Sequence, residues 1–347
     1  MKPADPTPSG EESFSAFMQH ALFDPHHGYY TRRIRTVGAH GDFSTAASAS
    51  PLLGRAIAAW LIGQSGEMRE VRTIIEVGGG TGALMEGVRK HIGWWRRGRF
   101  TFSLVEASPV LEQQQRERLG DAVRWFRDLT AALDAADGRA FIFHNELLDA
   151  LPVTLVQWDA ASAAWHEVWL VHHADGRTTE TLKPLAFDTR GRPEFSVLEQ
   201  WTRHSPPPCQ RQRCELHTGI AEWLAGWTPR WKEGAMLAID YGDVFPRLYS
   251  RRPSGTLRAY LHHMRREGAE VYDNAGRQDI TSDVNFSDVR HWCARSGMHD
   301  VHMESQAAFL RRLIPRRGFT GAAIERQLLD EEGAGGAFKC LSALMRR

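Results

Sequence analysis

A twelve-residue stretch constrains the fold of this chain more than any other part of its sequence. Residues 74–85 read IIEVGGGTGALM, which is an apolar run, a glycine-rich turn and the start of a helix. Gly78, Gly80 and Ala83 satisfy the pattern G-x-G-x-x-G/A, in which a strand turns sharply into a helix beside a bound nucleotide. The stretch therefore predicts an α/β fold with a binding loop at the end of its first core strand.

The segments around this turn alternate between strand and helix patterns. Residues 71–77, 99–107, 122–126 and 139–146 read as strands, with helices at 82–95 and 108–119 between them. Strands that alternate with helices predict right-handed crossovers and a mostly parallel sheet. We expect a Rossmann-like α/β core of the nucleotide-binding type, with inserted or appended helical and antiparallel elements that cover the site.

The flanking segments predict the organisation of the rest of the chain. Helical patterns at 11–23 and from Pro51 predict an N-terminal helical region, residues 1–70, that contributes to the cofactor pocket. Residues 71–347 form the predicted core. It carries substrate-side insertions at roughly 160–232 and 255–285, and the first begins near an antiparallel hairpin at 153–173. A helix at 286–296 and strands at 234–240, 299–304 and 337–345 complete the prediction.

Composition and charge narrow the class of protein. The chain has 347 residues and a net charge of +1, so no bulk field attracts nucleic acid. No apolar run approaches the ~20 residues that span a bilayer, and we expect no membrane insertion. Four cysteines and a polar N-terminus without an apolar signal core predict a reducing, cytoplasmic location. Cys209 and Cys214 lack the second ligand pair of a zinc site, so no metal is predicted. The sequence does not indicate an oligomeric state.

The acidic residue before the glycine loop distinguishes between possible ligands. The loop pattern alone fits NAD(P), FAD or S-adenosylmethionine. Glu76 beside a pyrophosphate would add repulsion of order a few kcal/mol at ~5 Å. S-adenosylmethionine has no phosphate and carries a sulfonium and an ammonium, to which a carboxylate is attracted. With Gly78, Gly80 and Gly82, which let the backbone approach closely, Glu76 favours the methyl donor.

Two further strand ends supply candidate cofactor contacts. Glu106 ends the second core strand, where a carboxylate accepts both ribose hydroxyls. Asp128 follows the third strand and could bind the adenine amine while Leu129 packs on the adenine ring. A capping role for Asp128 at the following helix is nearly as well supported.

The fourth core strand leads into the predicted reaction site. Asn145 and Glu146 end the strand and Asp149 follows on the exit turn, within NELLDALPV. We interpret Asn145 as a cofactor contact and the two carboxylates as catalytic. Carboxylates match the fixed fork of donors on a guanidinium and would aim one of its nitrogens at the methyl group. Asp149 could instead cap the turn.

Several long motifs resemble one known family. NELLDALPV is similar to the NEFFDALPV signature of the MidA family of S-adenosylmethionine-dependent methyltransferases. The segments at 14–30, 41–46, 239–243, 255–263 and 278–286 (FSAFMQHALFDPHHGYY, GDFSTA, IDYGD, GTLRAYLHH and QDITSDVNF) resemble further motifs of that family in the same order. Residues 47–50 depart from it, because Ala-Ser-Ala-Ser stands where Pro-Glu-Ile-Ser is usual and removes a charge. Residues 147–148 are Leu-Leu instead of Phe-Phe.

The resemblance implies roles for residues that the spacing alone does not assign. It makes Thr45, in GDFSTA, a cofactor contact. It implies that Asp240, Tyr241, Arg258 and Tyr260, together with Thr256, flank the acceptor channel. It also implies a class I methyltransferase sheet with an added helical region over the site, and a protein arginine as the acceptor of the methyl group.

These observations predict an S-adenosylmethionine-dependent methyltransferase that modifies a nitrogen, with a protein arginine as the expected acceptor. An NAD(P)-dependent oxidoreductase is one alternative. A non-catalytic assembly factor that binds S-adenosylmethionine is another, and a small-metabolite acceptor also stays open.

Overall fold

The alternating segments form a central sheet in the computed structural model, which describes residues 10–34, 51–185, 196–203, 207–262 and 264–347. The strands are β1 (Gly10–Ser13), β2 (Thr73–Val77), β3 (Thr101–Val105), β4 (Arg124–Phe126), β5 (Ala140–Asn145), β6 (Thr154–Asp159), β7 (Ala164–His172), β8 (Thr178–Pro184), β9 (Arg213–Leu216), β10 (Glu233–Asp243), β11 (Arg258–Leu261), β12 (Met264–Arg266), β13 (Asp279–Thr281), β14 (Val284–Asn285), β15 (His299–Ser305) and β16 (Phe338–Arg346).

Helices connect and cover these strands. Within the described residues they are α1 (Phe14–Phe23), α2 (Leu52–Glu67), α3 (Ala83–Ile92), α4 (Trp94–Arg97), α5 (Pro109–Leu119), α6 (Leu129–Ala135), α7 (Ser196–Arg203), α8 (Thr218–Trp227), α9 (Arg247–Arg251), α10 (Phe286–Arg295), α11 (Gln306–Leu313), α12 (Ala323–Leu328) and α13 (Ala334–Ala337).

The central sheet has the strand order β15-β16-β10-β5-β2-β3-β4, and β14 pairs with β10. The pairs β10–β5, β5–β2, β2–β3 and β3–β4 are parallel, whereas β16 pairs antiparallel with both β10 and β15. The predicted α/β class and Rossmann-like sheet are confirmed. Because β10, β5, β2, β3 and β4 run parallel, their carboxyl ends meet on one side of the sheet, where the polar residues of the site lie.

Successive residues of the central strands face opposite sides of the sheet, as strand geometry requires. Ile74 packs with Phe141 and Phe143 on one side, against α2 and α3, whereas Ile75 and Ile142 pack on the other. Both faces of the sheet are therefore apolar, which explains the nearly continuous hydrophobic runs that mark these strands in the sequence.

A second, antiparallel sheet lies beside the first. Its order is β1-β7-β6-β9, with β8 on the other edge of β7, and the predicted 153–173 hairpin is its β6–β7 pair. Strands β1 and β8 were not predicted, because both are largely polar and lack an alternating pattern. A third, smaller sheet, β12-β11-β13, lies within the predicted 255–285 insertion.

The N-terminal helices pack on different sheets. In α1, Phe14 and Phe17 join a core with Leu155 and Val168 of the antiparallel sheet. Helix α2 packs on the central sheet, where its Gly54 lies so close to α3 that a Cβ there would be 3.0 Å from the backbone of Gly87. The division at residue 70 and its share in the cofactor pocket stay predictions.

Candidate active site

The glycine loop between β2 and α3 has a backbone that side chains would disrupt. Gly78, Gly80 and Gly82 have φ angles of +69°, +53° and +77°, in the left-handed region that favours glycine. A Cβ on Gly79 would lie 2.4 Å from the Leu104 side chain. The loop therefore requires glycine at consecutive positions and leaves its backbone exposed to a ligand.

Glu76 lies under this loop as a buried carboxylate. Its side chain is 2% exposed, and its Oε2 atom is buried without a hydrogen-bond partner among the described residues. Burial raises the pKa of Glu76 well above its usual range, and the negative charge of Glu106 raises it further. A hydrogen bond from the Met85 backbone acts against this rise. A carboxyl group with one unsatisfied oxygen beside a glycine loop fits a cationic ligand and, when ionised, would repel a pyrophosphate.

Glu106 follows β3 and is held by two donors. The Ser108 backbone N–H donates to its Oε1 at 2.9 Å, and Gln115 Nε2 donates to its Oε2 at 2.8 Å. Burial raises the pKa of Glu106 to about 7, although both hydrogen bonds lower it. Each oxygen keeps a second lone pair, so the carboxylate can still accept the ribose hydroxyls that the sequence predicts for it.

Gln115 was not predicted as part of the site. From α5 its Nε2 also donates to the Gly80 carbonyl at 2.9 Å, and its Oε1 accepts from Trp125 Nε1 at 3.1 Å. It therefore joins the glycine loop to Glu106. Its segment reads EQQQRER, and polar composition alone does not show which of three glutamines turns inward.

The structure gives Asp128 the capping role that the sequence left open. Its Oδ1 accepts the Ala131 N–H at 2.8 Å at the start of α6, and the side chain is exposed. Leu129 is buried in the apolar core on that face. Contacts of either residue with adenine stay predictions.

The end of β5 places Asn145 and Glu146 together at the carboxyl edge. Asn145 Nδ2 donates to Glu146 Oε1 at 2.8 Å, and Asn145 Oδ1 is buried without a hydrogen-bond partner among the described residues. Glu146 has a φ of +53°, unusual for a residue with a side chain, and its N–H donates to the Ile239 carbonyl at 2.9 Å. Such a backbone conformation is common at functional sites.

Asp149 and Tyr241 form the centre of the acidic site. The Tyr241 hydroxyl donates a short hydrogen bond to Asp149 Oδ2, while Asp149 Oδ1 is buried without a partner in the described part of the chain. Burial raises the pKa of Asp149 to about 6, against the Tyr241 hydrogen bond and the positive charge of Arg258. Asp149 thus has one oxygen held by Tyr241 and one that can still accept a hydrogen bond.

Asp240 supports the turn that carries Asp149. Its Oδ2 accepts backbone N–H groups from Leu147, Leu148 and Asp149 at 3.2, 2.9 and 3.4 Å, and its Oδ1 accepts from Tyr241 N at 3.0 Å. It is fully buried. The structure therefore gives Asp240 a positioning role in the turn, and the predicted contact with an acceptor stays a prediction.

Arg258 lies against the same tyrosine. Its guanidinium carbon is 4.5 Å from the centroid of the Tyr241 ring, and its Nη1 pairs with Asp283 Oδ1 at 2.5 Å. Its Nε also donates to the Tyr260 hydroxyl at 3.1 Å. Thr256 braces this group, because its Oγ1 accepts the Asp283 N–H at 2.9 Å. The structure thus brings the predicted residues Tyr241, Arg258 and Tyr260 together.

Tyr30 is a further site residue that spacing did not single out. Its hydroxyl donates to Asp279 Oδ1 at 2.6 Å, and burial, followed by the charges of Asp279 and Asp149, raises the pKa of Tyr30. It belongs to the N-terminal motif at 14–30, so its place near Asp149 could have been proposed only from the family resemblance.

Some predicted features lie outside the described residues, namely Thr45, the rest of GDFSTA, the departure at 47–50, and His263 of the GTLRAYLHH segment. Within the described ranges, no group of three or more His, Cys, Asp or Glu side chains could hold a metal ion. The helices of the same ranges include none that is long and apolar enough to span a bilayer.

The family described as "Putative S-adenosyl-L-methionine-dependent methyltransferase" matches residues 52–303. The chain belongs to this methyltransferase family. The cofactor is accordingly S-adenosylmethionine, and the family match decides against the oxidoreductase alternative. The MidA resemblance is confirmed at the level of the family.

Two solved structures and two curated proteins are similar to this methyltransferase. A Burkholderia thailandensis crystal structure bound to S-adenosyl-homocysteine is 26% identical, with a TM-score of 0.81 over 96% of this chain and 88% of that chain. A native crystal structure from the same species has a TM-score of 0.77 at 26% identity, over 96% of this chain and 87% of that one.

The curated relatives are the mitochondrial protein arginine methyltransferase NDUFAF7 of Danio rerio and its homolog in Caenorhabditis elegans. Each is 24% identical to the methyltransferase described here. The alignments cover 81% of this chain and 68% of the Danio rerio protein, and 80% of this chain and 67% of the Caenorhabditis elegans protein.

The residues of the site fit S-adenosylmethionine. The buried, unsatisfied Glu76 suits a cation, and the loop at Gly78, Gly80 and Gly82 lets a ligand approach the backbone. When bound, the cofactor supplies an electrophilic methyl group on its sulfonium. Glu76, the loop and Glu106 would hold it.

Proposed function

We propose that this methyltransferase transfers the methyl group to an arginine nitrogen of a protein. The proposal rests on the acidic site beside the donor loop. It is supported by the two curated relatives, which are named protein arginine methyltransferases at 24% identity.

The observation that carries the proposal is the charge balance around Asp149. Its Oδ1 is buried without a hydrogen-bond partner among the described residues. Burial raises the pKa of Asp240 most, and the charges of Asp149 and Glu146 raise it further, so three carboxyl groups act on one another here. Arg258, the nearby cation, already pairs with Asp283. A cationic acceptor with several N–H donors would satisfy the excess negative charge, and a guanidinium has both properties.

In this proposal each side chain has a definite task. Asp149 and Glu146 bind and orient the guanidinium, and Tyr241 fixes the Asp149 carboxylate through its hydroxyl. Asp240 holds the turn beneath them. Because the donor is already activated, orientation supplies most of the rate enhancement, and no strongly basic residue is needed.

The test is transfer from a methyl-labelled donor into a cell extract, by the wild type and by Asp149→Asn. We expect labelled methylarginine in protein hydrolysates with the wild type and a much smaller amount with the variant. Label in lysine, in another residue or in a small metabolite would overturn the arginine assignment.

We also propose that the chain works in a reducing compartment, because Cys209, Cys214, Cys293 and Cys340 are all free thiols. The cytoplasmic location stays a prediction, and the curated relatives are named mitochondrial. Fractionation of cells that express the tagged chain would test it.

A further inference from the structure

Two tryptophans of α4 are exposed far from the donor loop. Trp94 and Trp95 are 64% and 78% exposed, and their rings stack with centroids 3.7 Å apart. The chain has twelve tryptophans, and the other ten are buried or half-buried. Tryptophan side chains are usually buried for the most part, and two adjacent exposed ones are typical of a surface that a partner covers.

The surroundings of this pair are strongly basic. Between Glu86 and Glu106 the sequence has five Lys and Arg residues and no acidic residue, in a chain whose net charge is only +1. Four of them lie at or near the surface, namely Lys90, Arg96, Arg97 and Arg99. We call these four residues, together with Trp94 and Trp95, the WR patch.

The basic side chains of the WR patch lack acidic neighbours. Within the described residues, none of the four forms an ion pair with a carboxylate, whereas other surface arginines do, such as Arg116 with Glu112. The fifth basic residue, Arg89, lies over the Phe102 ring, and burial, followed by the charge of Arg97, lowers its pKa. The patch thus presents uncompensated positive charge around an exposed aromatic pair.

The position of the WR patch leaves the active site accessible. Strands β2 and β3 run parallel, with Thr73 opposite Thr101. The glycine loop follows the carboxyl end of β2, whereas the patch immediately precedes Thr101, at the amino end of β3. The glycine loop and the WR patch therefore lie at opposite ends of the parallel strands. A surface that binds the patch would leave the carboxyl ends of the strands, and the site there, open to solvent.

We propose that the WR patch binds an anionic lipid surface. Tryptophan rings prefer the headgroup level of a bilayer, and arginine and lysine beside them are attracted to anionic headgroups. Single-stranded nucleic acid, which also binds basic and aromatic residues, fits less well. The two rings stack on each other, and the basic residues lie around one short helix instead of along a groove that could follow a phosphate backbone.

The test is flotation of the full chain with vesicles of phosphatidylcholine alone and of phosphatidylcholine mixed with phosphatidylglycerol. We expect binding to the mixed vesicles only, weakened by salt. The triple variant Arg96→Gln, Arg97→Gln, Arg99→Gln should lower the partition coefficient about 100-fold or more, because each basic residue near an anionic surface contributes roughly fivefold. Trp94→Ser with Trp95→Ser should also lower it, because the tryptophan rings that prefer the headgroup level are lost.

Two control variants match these changes in chemistry but lie elsewhere. Arg316→Gln with Arg317→Gln removes an exposed arginine pair, and Met264→Ser removes an exposed apolar side chain. Both should float like the wild type. Binding of S-adenosyl-homocysteine by every variant would show that each is folded.

Three results would overturn the proposal. They are a wild type that does not float with anionic vesicles, patch variants that float as well as the wild type, and control variants that lose flotation equally. Binding of a single-stranded oligonucleotide that the patch variants abolish, without flotation of the wild type, would reassign the patch to nucleic acid.

Discussion

In the donor-free protein Glu76 is buried, and its Oε2 atom has no hydrogen-bond partner among the described residues. It also lies near the negative charge of Glu106. Glu76→Gln removes the charge and keeps the shape. We expect donor binding to weaken by about 1–3 kcal/mol, the scale for a charge-assisted hydrogen bond, while the melting temperature without ligand is unchanged or higher. Calorimetric titration and thermal unfolding measure the two effects. Unchanged donor affinity would contradict the electrostatic account of the loop.

Glu106 predicts a pH dependence of donor binding. Its pKa is about 7 in the free protein, and a ribose diol prefers the ionised carboxylate. Below about pH 7 binding must expel a proton, so affinity should rise with pH up to about 7 and then level off. Titrations across this range should show the step in the wild type and not in Glu106→Gln. The same step in both proteins would remove Glu106 from the ribose site.

At the scale of single elements, α6 offers a way to separate two roles of one residue. Asp128 caps the helix through its Oδ1. Asp128→Ala should lower the free energy of unfolding by about 0.5–2 kcal/mol, and Asp128→Ser should restore most of it, because serine also caps helices. Urea unfolding gives the stabilities. If donor affinity falls in both variants, Asp128 also contacts the cofactor.

The elements differ in how well the sequence predicts them. Strands β2, β3 and β5 have both faces buried, so their apolar runs are long and clear, and the glycine loop between β2 and α3 has a backbone that few sequences permit. Strand β1 is four largely polar residues paired with β7, and its sequence, GEES, does not indicate a strand. Its formation depends on a partner strand more than 150 residues away.

The same contrast holds within the site. Glu76, Glu106 and Asn145 were predictable because each lies at the carboxyl end of a recognisable strand. Gln115 and the turn-supporting role of Asp240 were not, because each depends on contacts between elements distant in sequence. Periodicity indicates which face of an element is buried, but not which polar side chain on another element it will meet.

At the scale of the whole molecule, buried acids should make the donor-free protein less stable at higher pH. Burial raises the pKa of several carboxyls, so the folded state binds more protons than the unfolded state until each group has ionised. These carboxyls are Glu76, Glu106, Asp149, Glu215, Asp240 and Asp288.

Two buried histidines act in the opposite direction, but over a lower pH range. His144 and His217 have pKa values of about 3 and about 4, so they favour folding as pH rises to about 7.5, where unfolded histidine, with a pKa of about 6.5, is mostly neutral. From about pH 7.5 to 8.5 these two histidines add little, and the buried carboxyls lower the stability as pH rises. The urea midpoint should fall over this range, and a midpoint that rises would contradict the assignment of buried acids.

We propose that Glu146 and Asp149 bind the acceptor cation, separately from the donor pocket. The most direct measurement is single-turnover methyl transfer to an arginine-containing protein acceptor at saturating donor, with donor affinity measured in parallel. The proteins to compare are the wild type, Glu146→Gln and Asp149→Asn. We predict that each variant slows transfer by ~100-fold, since small misplacements cost this much, and leaves donor affinity nearly unchanged. Equal transfer rates in all three proteins, or loss of donor affinity alone, would contradict the claim.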